Sequence, residues 1–154
     1  MRGFKVGSCA AALVIALAVA GCGSDDDDSS GDTSTDITKE QFVTQANAIC
    51  KSSNEAIKAA SEKAFSSGKQ PTQAEAEEFI TATVIPEVES QLDGIRELDI
   101  PEGEEDAVNE ILDAADAGVE EVKADPISAT TEESDPFGEA NRLSDAYGMK
   151  ECAS

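Results

Sequence analysis

The sequence predicts an all-α fold, a four-helix bundle-like domain closed by one disulfide. Three observations lead there. Apolar residues between Phe42 and Tyr147 recur at spacings of three and four, and no segment alternates with period two over a useful length. Threonine boxes, prolines and glycines punctuate the same stretch where helices would begin and end. Two cysteines, Cys50 and Cys152, lie 102 residues apart near its two ends.

The first helix opens at Thr38-Lys39-Glu40-Gln41, a capping box with Thr38 as N-cap. Its stripe is Phe42, Ala46, Ile49, Cys50, Ser53, Ile57, Ala60 and Ala64, and Gly68 is its stop. The second opens with Pro71 and the box Thr72-Gln73-Ala74-Glu75. Its stripe runs Ala76, Phe79, Ile80, Val84, Val88, Leu92, Ile95 and Leu98. Pro86 lies inside it, where a proline removes a backbone bond and crowds the preceding turn. The apolar phase carries on past Pro86, which favours one kinked helix over two. The third helix spans about Glu104 to Lys123, with Val108, Ile111, Leu112, Ala115, Val119 and Val122 inward. Glu102, Glu104, Glu105 and Asp106 crowd its start, where the helix dipole favours anions. Asp125-Pro126 ends it, and a polar loop runs to Ser134. The fourth helix is short, with Asp135 as cap and Pro136 at its first position. Phe137, Ala140, Leu143 and Tyr147 face inward, and Gly148 stops it with Met149 set for a Schellman contact. Residues 37–154 thus make one domain with one core. That core is rich in Ala and Val and should be thin, which argues against a large cavity.

Upstream, Arg2 and Lys5 precede an unbroken apolar run from Ala10 to Ala20. Eleven residues are too few to span a bilayer, which takes about 20. A basic start before a short apolar core is the pattern of a signal peptide, here residues 1–21. The run ends in Val19-Ala20-Gly21-Cys22. This motif resembles the lipobox of bacterial lipoproteins. The resemblance implies cleavage between Gly21 and Cys22 and a diacylglycerol on the Cys22 thiol, with palmitate-type acylation. The expected address is the extracytoplasmic face of the cell membrane. Residues 23–36 contain no large apolar side chain and form a flexible acidic linker. As a random coil its 14 residues reach roughly 20 Å.

After removal of residues 1–21 the chain carries 9 basic and 33 acidic side chains, a formal charge of −24. Such a surface repels phosphate backbones and anionic headgroups, which excludes nucleic acid as a partner. Histidine is absent, and with it the commonest general base and metal ligand. Of the four cysteines, Cys9 leaves with the signal peptide and Cys22 is lipidated. Cys50 and Cys152 remain for an oxidising compartment, where they are expected to pair.

Phe42-x3-Ala46-Asn47-x-Ile49-Cys50 and Tyr147-Gly148-x3-Cys152 frame the domain, with Asp135-Pro136-Phe137 before the second. With them the chain resembles small cell-surface lipoproteins and secreted helical domains of high-GC Gram-positive bacteria. The resemblance covers the whole mature domain. Its motifs are structural, so it implies architecture and address and no activity.

Several motifs invite a sharper chemistry. Asp26-x-Asp28-x-Ser30-Gly31-Asp32 begins like a calcium loop, but its twelfth position is Ile37 rather than a bidentate Glu. It reads as acidic linker, and no metal or cofactor is expected. Ser66-Ser67-Gly68-Lys69 satisfies S-x-x-K, yet no K-T-G follows and only Ser144-Asp145-Ala146 approaches S-D-N. No catalytic residue is assigned, and the chain is not expected to be an enzyme. Asn47 sits beside Cys50, where hydrogen bonds to the C-terminal segment are the expected role. Pro86 with Thr83 would open a small polar notch at the Ala82 carbonyl, read as packing rather than as a site. Two functions remain. One is a non-enzymatic interaction module, held at the membrane by the Cys22 lipid and meeting an envelope protein or polymer. The alternative is a ligand-binding lipoprotein with a small apolar cavity between helices. A pocket above about 300 Å³ lined by aromatics favours the latter.

Overall fold

A computed structural model describes residues 37–131 and 134–153. The expected signal peptide, Cys22 and the acidic linker through Asp36 lie outside the described residues. Among those described, every regular element is helical and none is a strand.

Helix α1 spans Lys39–Ala64. Thr38 accepts from the Gln41 backbone N–H, and the Gln41 side chain accepts from the Thr38 N–H at 2.8 Å, so two orphan donors are satisfied reciprocally. Phe42, Ala46, Cys50 and Ser53 are buried, whereas Ala64 at the frayed end is exposed. Helix α2 spans Gln73–Phe79 and opens on the same device, with Thr72 and Glu75 as the pair. The Thr72 donors hold the Glu75 carboxyl below its ordinary value.

The helix does not break at Pro86. A single π-helical turn, Ile80–Val84, joins α2 to α3, Ile85–Arg96. The Ile85 N–H bonds the Ile80 carbonyl, five residues back. Pro86 has no N–H to give and its ring would crowd the carbonyl of Ala82 in a regular α-turn. The wider turn relieves both problems while the helix stays continuous. It also rephases the core. Ile80 and Ile85, five apart, are both buried, while Val84 and Val88 of the expected stripe are only half-buried.

Helix α4 spans Glu105–Ala124 and buries Val108, Ile111, Leu112, Ala115, Val119 and Val122, the whole expected stripe. Helix α5 spans Gly138–Tyr147. Asp135 does not cap it, contrary to the sequence expectation. Asp135 to Gly138 instead close a turn through the Gly138 N–H and the Asp135 carbonyl at 3.1 Å, and the helix begins only after Phe137. A turn closed by its own backbone leaves Pro136 outside the helix rather than at its first position. The far end of α5 follows expectation. Gly148 takes φ +107°, its N–H reaches the Asp145 carbonyl, and the Met149 N–H reaches the Ser144 carbonyl at 2.8 Å. That is a Schellman motif, and Met149 is buried behind it.

Packing runs in a ring. α1 lies on α3, α3 on α4, α4 on α5, and the 3₁₀ turn Lys150–Cys152 returns to α1. There Cys50 and Cys152 form the disulfide, with Cα atoms 5.0 Å apart. Asn47 holds the same turn on both of its faces. Its amide donates to the Gly148 carbonyl at 3.2 Å and its oxygen accepts from the Glu151 N–H at 2.9 Å. Asn54, two helical turns along, donates to the Glu151 carbonyl at 2.8 Å. The Tyr147 ring meets Phe42 edge-on at 6.1 Å, as the C-terminal disulfide requires. α5 rests mainly on α4, and the Phe137 ring lies against Gly118 of that helix.

Candidate functional site

An apolar cleft of about 340 Å³ opens where the end of α1, the α2–π–α3 rod and α4 converge. Its shape follows from the turns around it. Gly68 at φ +67° lets the chain reverse after α1, which brings Phe65 against Phe79 with ring centroids 5.2 Å apart. The angle between these rings is 64°, within the edge-on range that aromatic pairs prefer. The π turn then presents Ile80 and Val84, and α3 presents Val88, to the same space. Phe137 closes the side away from the Phe65–Phe79 pair. Three of the four phenylalanines between residues 37 and 153 therefore line one cleft. The Ala- and Val-rich core argues against a large cavity, yet the half-open cleft exceeds the roughly 300 Å³ that favours a binding site. Half-buried Phe65, Phe79 and Phe137 frame it together with the buried Val119 and Val122 of α4.

The lining carries no charged side chain, and Ser61 and Thr130 supply its only hydroxyls. Thr130 spends its hydroxyl on the Ile127 carbonyl at 2.8 Å. A charge placed here would lose its hydration with nothing to replace it. The ion pairs lie elsewhere and stay at the surface. Lys123 spans Glu89 on α3 and Glu120 on α4 at 2.8 and 2.7 Å, and these carboxylates, Glu120 foremost, raise its pKa. Arg96 bridges Asp93 and Asp116. Exposed pairs of this kind contribute about 0–1 kcal/mol each.

The remaining sequence candidates are placed as follows. Ser66 and Lys69 are exposed in the turn after α1, and Ser144 is buried on α5, where its carbonyl serves the Schellman motif. Thr83 and Ala82 lie on the π turn, outside the cleft lining. Asn47 is a structural tie, as above. The Asp26–Asp32 loop and Cys22 lie outside the described residues. Among the described residues no group of three or more Cys, Asp or Glu is arranged to hold a metal ion, and no helix is long and apolar enough to cross a membrane. The sequence predicts both Phe65 and Phe79 as core aromatics, and the structure leaves both half-buried at the cleft. The available signal was their position on either side of a short helix–turn–helix, which sets them facing. No protein-family model, curated protein or solved structure matches the chain.

Proposed function

We propose that the chain is a lipid-anchored envelope protein whose helical domain binds a neutral, apolar small molecule in the Phe65–Phe79–Phe137 cleft. The observation that carries this reading is the convergence of three phenylalanines on an uncharged cleft of about 340 Å³. Ligand sites are concave, mostly apolar and of about 300–1,000 Å³. An interaction module would be expected to gather its apolar side chains on an exposed face. Here the large ones line a recess instead. The charge of −24 expected for the mature chain disfavours anionic ligands, and the lining disfavours any buried charge. Nothing in the lining pairs a nucleophile with a base, so the role is binding rather than catalysis.

The test uses N-phenylnaphthylamine, a neutral dye that fluoresces in apolar surroundings. The chain has no tryptophan to interfere. Saturable binding with a raised melting temperature is expected, since a ligand that prefers the native state stabilises it. Phe79→Ala should weaken that binding. Dye fluorescence without any thermal shift, or binding indifferent to Phe79→Ala, would refute the site. The anchor is tested separately: Cys22→Ser should release the protein from membranes or leave it unprocessed, and a membrane-bound protein of mature size would sink the lipid assignment.

A further inference from the structure

The apolar interior continues past the cleft. A second cavity of about 140 Å³ lies among α3, α4 and α5. Val88 and Phe137 line both volumes, so these two side chains form the partition between them. Behind the partition stand Leu92, Ile111 and Met149, with Asn54, Gln91 and Asn141 among the polar lining. No charged side chain lines either side. The placement of Phe137 is tied to Gly118 of α4. A Cβ at Gly118 would stand 2.6 Å from Phe137 Cδ1 and 2.5 Å from the Pro136 carbonyl oxygen. Gly118 lies inside a regular helix, where glycine costs stability. Its presence there is explained by the turn that leans on it.

Resting on the cleft as the binding site, we propose that the ligand is a single unbranched alkyl chain and that Phe137, with Val88, is the stop that sets how much of it the site accepts. Two mainly apolar volumes that share Val88 and Phe137 make a joint space longer than either alone, which suits a chain better than a compact ring system. A charged end must remain at the mouth, because neither volume offers a charge to receive it. A methylene group takes up about as much room as one water, ~30 Å³. The outer cleft then accepts roughly ten carbons, and the inner cavity about four or five more once the partition is opened.

Linear primary alkanols from octanol to hexadecanol, displacing the dye from the purified domain, test this. Affinity should rise roughly fourfold for each added methylene and level off near ten carbons. Phe137→Leu should carry the rise to longer chains. Adding Ala140→Leu, which fills the inner cavity, should bring the plateau back. Melting curves confirm that each variant is folded, and Val88→Ala opens the same partition from α3 should Phe137→Leu not fold. A plateau that stays in place when either partition residue is cut back overturns the stop and leaves the cleft reading intact. Equal affinity for branched and linear alkanols of the same carbon number overturns the unbranched chain alone. Absence of saturable alkanol binding by the unaltered domain overturns the alkyl ligand, and absence of dye binding as well overturns the cleft.

Discussion

Breaking the Cys50–Cys152 bridge should cost the domain about as much as emptying a large core position such as Phe42. The bond closes a loop of 102 residues, nearly the entire fold. Closing a loop of that length removes about 4.7 kcal/mol of conformational entropy from the unfolded chain, and measured losses for native bridges run at about 2–5 kcal/mol. The upper part of that range is reached if native contacts still hold the tail, because the folded state then gains no freedom to offset what the unfolded chain regains. Several do: Asn47 and Asn54 keep their bonds to the C-terminal turn, and Met149 stays buried. With an unfolding entropy of about 2.1 cal/mol/K per residue over roughly 115 residues, a loss of 2–5 kcal/mol lowers the melting temperature by about 8–20 °C. Two perturbations separate the cross-link from packing. Reduction keeps both sulfur atoms, whereas Cys50→Ala with Cys152→Ala also leaves a small void at fully buried Cys50. Calorimetric melting of the three forms should place the oxidised protein highest, the reduced one well below, and the double variant lower still. Amide exchange in the reduced form should rise first in the Lys150–Cys152 turn and the end of α5. A reduced protein melting within about 3 °C of the oxidised one would refute the reasoning, as would two free thiols in the purified native protein.

Gly118→Ala should destabilise the domain by about 1–3 kcal/mol, although alanine is the better helix former, because the added carbon meets backbone at Pro136 as well as the Phe137 ring; a urea midpoint unchanged or raised would contradict that contact. Tyr147 gives a direct optical readout, being the only tyrosine. Burial first, and then the nearby Glu104 carboxylate, push its phenol up to about 12 from an ordinary 10. The fold therefore favours the neutral ring, and its contribution is complete below about pH 10 and lost as pH rises from there towards 12. Phenolate absorbance with a midpoint near 10 in the folded domain would show that the ring is not shielded.

What could be read in the sequence was local. A capping box needs only a threonine and its partner three residues on, so Thr38 with Gln41 and Thr72 with Glu75 were legible. The Gly148–Met149 stop was legible for the same reason. The pairing of Cys50 with Cys152 followed from which cysteines an exported chain would have left, and Asn47 from the need of a half-buried amide for partners. The π turn was hidden because Val84 and Val88 mimic a regular α stripe. Only the burial of both Ile80 and Ile85 betrays the wider turn, and burial is a tertiary fact. Asp135 misled because an Asp-Pro pair serves a helix start and a free turn equally well. The cleft was least legible of all. Phe65, Phe79 and Phe137 come from three elements, and no spacing in the chain announces that Phe137 meets the other two.

The π turn leaves the α2–α3 rod one residue longer than an all-α rod with the same two faces. In an ordinary helix, loss of a residue swings everything downstream by about a quarter turn, given 3.6 residues per turn. Here the surplus residue sits between Ile80 and Ile85, where an i−5 bond already stands in place of an i−4 bond. Removing Ala82, with Pro86→Ala so that no ring obstructs the tightened turn, would convert it to regular helix while Gln73–Phe79 and Ile85–Arg96 keep their mutual orientation. The rod is thus a place where length can change by one without scrambling which side chains face the protein, a freedom that the flanking turns of α1 and α4 do not have.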